Sequence, residues 1–305
     1  MLNGKRSSHY GFGIVALLIC STIWGTSFVA QSLGGQVAEP FTFNCARNLV
    51  ATFFLLAIGP LISFLKKEKY SFFCTTNPQL RKNLLFGGTL SGTSLAFAMF
   101  MQQWGIMYTS AGKSGFITAL YIVLVPILGL LFFHNHVSRN NWLGVLVATI
   151  GMYLICITEN FTITKGDFIT LACPFLFALQ ILIVDYYIKD LDGVRFSTVQ
   201  FAVCALVSGI MMLVFEQPTL AQVIASLGPL LYLAIMSSGI AYTLQIIGQK
   251  YVDSVLASLL MSLESVFALL SGWIYLDQSM TIREISGCAI VFAAIILAQI
   301  PEKKA

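Results

Sequence analysis

The sequence predicts an all-α integral membrane protein of ten transmembrane helices, built as two inverted five-helix repeats with both termini in the cytoplasm. Three observations carry that expectation. Of 305 residues, 57% are hydrophobic and only 10% are charged, against about 25% charged in an ordinary soluble protein. Apolar runs close to the roughly 20 residues that cross a bilayer recur along the whole chain. The second half also repeats polar and glycine positions of the first at a fixed spacing. With mean hydropathy +0.85, the chain cannot clothe a water-soluble domain in charge. Soluble enzymes and nucleic-acid-binding modules are excluded, and a lipid bilayer is the first expected partner.

Breaks at charge, proline and glycine divide the chain into spans at about 11–33, 41–65, 84–107, 111–133, 142–157, 167–188, 196–215, 228–249, 254–275 and 285–300. Lys5 and Arg6 precede the first run as they would in a signal peptide. That run is about twice the length of a signal-peptide core and lacks an A-x-A-like site, so it reads as a permanent span. Loops rich in Lys and Arg stay in the cytoplasm. The inner set is read as Lys5, Arg6, Lys66, Lys67, Lys69, Arg81, Lys82, Arg139, Lys189, Arg195, Arg283, Lys303 and Lys304. Lys113, Lys165 and Lys250 are assigned to the outer side. The localisation expected is a multi-pass protein of a bacterial inner membrane.

A shift of 143 residues aligns Gln102-x-x-Gly105-x-x-Tyr108 with Gln245-x-x-Gly248-x-x-Tyr251, and pairs Ser94 with Ser237, Leu120 with Leu263 and Gly144 with Gly287. A shift of 153 pairs Gly13 with Gly166 and Trp24 with Phe177. The difference places about ten extra residues in the first half, in the basic loop from Lys66 to Lys82. The units expected are residues 11–157 and 166–300. Five spans per unit is an odd number, so the copies insert in opposite directions, the arrangement of transporters that rock about a midplane site.

Ionisable groups at membrane depth are costly and default to a functional reading. Glu264 lies ten residues inside the ninth span, about 15 Å deep at 1.5 Å per residue. There it can bind an amine or carry a coupling proton. Tyr121 is its partner under the 143 shift, and Gln180 is the partner of Ser27 under the 153 shift. Asp185 and Lys189 read as an i,i+4 pair. The seven cysteines stand singly and read as small packing residues. His134-x-His136 has no third ligand, so neither metal nor cofactor is expected. No phosphate-cradling G-x-x-x-x-G-K-[ST] loop is present.

The motifs together are similar to the EamA-type branch of the drug/metabolite transporter superfamily. The resemblance rests on Ile23-Trp24-Gly25-Thr26-Ser27-Phe28, Arg47-x-x-x-Ala51, Leu124-Val125-Pro126, Gly166-Asp167, Leu263-Glu264-Ser265-Val266-Phe267-Ala268 and Ala293-Ala294-Ile295-Ile296-Leu297. It covers about residues 11–300. Where the family usually has an acidic residue after spans four and nine, this chain has His134-Asn135-His136 and Leu276-Asp277-Gln278, and a common proline of span nine is Ser265.

The resemblance implies a cavity lined by spans 1, 3, 4, 6, 8 and 9. Trp24, Gln102, Gln103, Tyr121, Gln180, Tyr242 and Gln245 then become candidates for contacting substrate, with Glu264 also the coupling candidate. Span two is implied to be peripheral, which makes Arg47 a structural anchor before a carboxylate clamp, and Lys113 a snorkelling or entrance lysine. The function expected is secondary-active export or exchange of amino acids, amines or nucleobase-like compounds by alternating access, with protons as a candidate coupling ion and a homodimer as the candidate assembly. The alternative is an integral-membrane enzyme acting on a lipid or prenyl substrate.

Overall fold

A computed structural model describes residues 2–65, 67, 70–73, 77–109, 111–134, 137–156, 164–276 and 281–300. Within them the chain forms helices and no strand. Nine helices among the described residues are long and apolar enough to cross a membrane, beginning with His9–Gly35, Pro40–Leu65 and Pro78–Ile106 and ending with Ile282–Gln299. The remaining expected span is the helix Arg139–Cys156, whose polar opening Arg139-Asn140-Asn141 dilutes its hydropathy. It packs along Ile282–Gln299. Large apolar side chains such as Phe64, Phe168 and Leu213 stay exposed on the outside of the bundle, the faces a bilayer would cover.

The fourth and ninth spans are each broken in the middle. Ala111–Ala119 gives way to Tyr121–Phe133, and Ser254–Met261 gives way to Glu264–Leu276. Both joints tighten into i→i−3 bonds, Leu120 N to Ile117 O at 3.2 Å and Leu263 N to Leu260 O at 3.3 Å. The sixth span is interrupted before Pro174, and the eighth carries a π-helical stretch over Leu233–Ala241. Helix boundaries recur down the chain: Tyr121–Phe133 and Glu264–Leu276, like Arg139–Cys156 and Ile282–Gln299, are each displaced by the 143 residues of the sequence repeat.

Close crossings recur with the same spacing. A Cβ on Gly248 would lie 3.0 Å from Gly13 O, and one on Gly105 would lie 3.0 Å from Gly166 O. Between the fifth and last spans, a Cβ on Gly144 would meet Ala294 O at 3.1 Å, and one on Gly287 would meet Gly151 O at 2.7 Å. Small residues at these points let the helix backbones touch, which is how helices associate where lipid removes the hydrophobic drive.

The two ends of the bundle differ in charge. Lys250 Nζ donates to Leu191 O at 2.9 Å, His9 stacks on Tyr251 at 5.3 Å, and Arg195 lies over Tyr70. Lys189, Lys250, Asp185 and Asp253 share a surface pocket of about 370 Å³. The start of the third span, with Gly87 against Tyr187, belongs to this basic end. Gly105, eighteen residues further along the same helix, is therefore about 27 Å away, and Lys165 over Tyr108 marks the opposite end. Two assignments of the charge reading change. Lys250 belongs with Lys189 and Arg195. Arg283 lies over Tyr153, which packs on Phe116 toward the opposite end. Eight helices from the end where the chain begins return it to that end at Lys250, and a ninth carries it away before Arg283.

Candidate functional site

Between the ends lies a cavity whose free space is about 30 Å³, room for roughly two waters. A metabolite entering it must part the side chains around it. The structure brings seven expected residues to this wall: Trp24, Gln102, Tyr121, Gln180, Tyr242, Gln245 and Glu264. Tyr121 and Glu264 each open the second half of a broken span, so both stand where a half-helix presents its N-terminal turn to the middle of the bundle. On this wall Trp24 and Tyr242 lie 4.6 Å apart between ring centroids, and Phe201, off the wall, meets Tyr242 edge-on at 5.5 Å.

Arg47 is not at the periphery, where its span was expected to place it. It is 3% exposed and lines the same cavity. Its Nε donates to Ser238 Oγ at 2.8 Å and its Nη2 to Ser237 Oγ at 3.0 Å, both in the π-helical stretch of the eighth span. The extra residue per turn there presents two successive hydroxyls to one guanidinium. Arg47 and Glu264 make no contact with each other, and Glu264 Oε1 has no hydrogen-bond partner. Trp24 Nε1, Tyr121 Oη and Gln245 Oε1 are likewise buried and unsatisfied. Buried polar atoms without partners are rare, and four of them share this wall.

Other expected residues fall elsewhere. Gln103 turns away, donating to Gln31 O at 3.0 Å. The side chain of Lys113 lies outside the described residues, as do Asn135, His136, Asp277 and Gln278. The wall also includes Ser27, Gln31, Thr118 and Ser237, with Phe28, Phe177 and Ile181. Thr118 accepts from Gln102 Nε2 at 3.1 Å. Several of these were within reach of the repeat: Ser27, Phe28 and Phe177 are partners of Gln180, Ile181 and Trp24 under the 153 shift.

A model of the EamA-like transporter family matches residues 11–157 and 164–299. The chain belongs to the EamA-like transporter family. As an EamA-like protein it is a multi-pass membrane protein of transporter lineage. Relatives include an uncharacterized transporter of Archaeoglobus fulgidus, 27% identical over 93% of this chain and 84% of its own length. A second, from Bacillus subtilis, is 19% identical over 93% of this chain and 95% of its own. A solved crystal structure shares the EamA-like fold at 17% identity, with a TM-score of 0.71 over 96% of this chain and 97% of the other.

Proposed function

We propose that the chain is a secondary-active transporter of small zwitterionic metabolites, amino acids foremost, working by alternating access between two inverted five-helix halves with the basic end in the cytoplasm. The observation that carries this reading is the cavity itself: one guanidinium and one carboxyl face the same space and leave each other unpaired. A charge buried without a partner is expensive. A substrate carrying both a carboxylate and an ammonium satisfies Arg47 and Glu264 at once. Arg47 offers a planar fork for the carboxylate, Glu264 accepts from the amine, and Trp24, Phe177 and Tyr242 shape the space for the side chain. Glu264, when its proton is exchanged for the amine, couples substrate movement to a proton; the serines that already hold Arg47 keep it in place when the cavity is empty.

Counterflow into liposomes preloaded with unlabelled amino acids tests the reading. Labelled amino acid should accumulate in protein-containing vesicles well above vesicles without protein. Equal uptake in both, across the set of natural amino acids, removes it.

A further inference from the structure

We propose that a buried chain of glutamines, Gln249–Gln245–Gln180–Gln200, is the gate that closes the cavity toward the basic end, and that its opening brings Met261, Val184 and Gln200 to the cavity wall. The proposal rests on the alternating-access reading above.

The chain is continuous. Gln249 Nε2 donates to Ile181 O at 3.0 Å. Gln245 Nε2 donates to Gln249 Oε1 and to Gln180 Oε1, both at 3.0 Å. Gln180 Nε2 donates to Gln200 Oε1 at 3.1 Å, and Ser91 Oγ donates to the same oxygen at 2.5 Å. All four amides are no more than 2% exposed. They tie the third, sixth, seventh and eighth spans together, from the cavity wall at Gln180 and Gln245 to the last turn of the eighth span beside Lys250. An amide both donates and accepts, so such a row can break and re-pair without stranding a charge. Gln200 Nε2 and Gln245 Oε1 still lack partners, a spare donor and a spare acceptor for the rearranged state.

Among the described residues, the opposite end holds no such row. The repeat partners of these glutamines are Ile106, Gln102, Ser27 and Arg47. Gln102 bonds Thr118 and Arg47 bonds two serines instead. There the cavity continues past the middle: Gln31, Arg47 and Thr118 lie toward that end and line it. Their repeat partners Val184, Gln200 and Met261 are buried off the wall. Ser237, at the middle of the eighth span, and Tyr242, on its basic side, also line the wall while their partners Ser94 and Met99 do not, so three wall positions weigh toward the opposite end against one toward the basic end. The free space is thus displaced away from the basic end. Exchanging the conformations of two equivalent halves turns the wall Gln31–Arg47–Thr118 into Val184–Gln200–Met261, and the amide row is what must part for that to happen. The substrate carboxylate then meets a guanidinium on one side and a neutral amide on the other.

Thr118→Cys and Met261→Cys, made separately, are treated with a charged, membrane-impermeant methanethiosulfonate in sealed vesicles of either orientation. Peptide mapping reads each site, with the native buried cysteines as internal references. Thr118→Cys should react from the face opposite the basic end and Met261→Cys from the basic face. Adding Gln180→Ala should raise the Met261→Cys rate several-fold and lower the Thr118→Cys rate. Gln249→Ala, off the cavity wall, should do the same, which guards against a local fault at Gln180. The gate is overturned if Met261→Cys never reacts from either face, or if both glutamine variants leave the two rates unchanged or raise both together. If Thr118→Cys reacts and Met261→Cys does not, the gate falls while the transport reading stands. A position that reacts equally from both faces overturns the gate and leaves the transport reading standing, because alternating access exposes a midplane site to each side in turn.

Discussion

At Glu264 the carboxyl sits at the first turn of a half-helix, where exposed N–H groups favour negative charge, and among the described residues it has no counter-ion. A structural glutamate would have been given a donor for Oε1. Glu264→Gln keeps shape and hydrogen bonding but loses the exchangeable proton. It should abolish or uncouple transport while leaving membrane level near wild type; normal proton-linked uptake by this variant would end its coupling role. Arg47→Gln places at position 47 the residue its repeat partner already carries. Loss of a hydrogen bond to a charged group costs about 1.5–3 kcal/mol, so apparent affinity for a carboxylate-bearing substrate should weaken roughly 10- to 100-fold. The decarboxylated amine should be affected far less. Equal loss for both, in competition assays, would return Arg47 to the role of anchor. The depth of these residues was legible in the sequence, since counting from a span's end gives depth directly. Their direction was not. Hydropathy carries no azimuth, so Arg47 on a span expected to be peripheral gave no sign that it reached the serines of the eighth.

Among the elements, span positions followed from composition because each helix satisfies its own backbone bonds and only has to be apolar for a bilayer's length. The breaks within spans escaped that logic. No proline or glycine stands at Leu120 or Leu263, where the halves meet, and the π-helical stretch at Leu233–Ala241, though it carries Ser237-Ser238-Gly239, has no proline to mark it. Both are tertiary effects, imposed where side chains crowd a central cavity. The glycine crossings were partly legible, since Gly144 and Gly287 match under the repeat, but their contacts needed the neighbouring helices. Gly287→Leu forces a side chain into Gly151 O, 2.7 Å from its Cβ, and into Ile155. Overpacking of that kind costs about 1–3 kcal/mol, so the thermal unfolding midpoint in detergent should fall. Gly11→Leu, with nothing within 4 Å of its Cβ, should leave it unchanged. A similar loss at both sites would mean lipid contact or added bulk in general, not the crossing, sets the effect, since leucine is the better helix former.

For the molecule as a whole, the basic side chains decide how the bundle sits. Arg81, Lys82, Arg195 and Lys250 gather at one end, and the helix beginning near His9 starts there as well. Lysine and arginine resist translocation, which is why the proposed orientation puts this end in the cytoplasm. In the proposed ten-crossing topology, Ile282–Gln299 ends on the side where the first helix begins. The opposite end is tied across the halves by Glu216, whose carboxylate accepts from Phe41 N at 2.8 Å and Thr42 N at 2.6 Å. Glu216 and the start of the second span should therefore face outward together. In intact cells, an impermeant label should reach a cysteine placed at Gln217 and should miss tags at either terminus until the membrane is opened. Nine crossings would leave the two termini on different faces, so a C-terminal tag labelled in intact cells, with the N-terminal tag protected, would undo both the tenth helix and the inverted pairing of the halves.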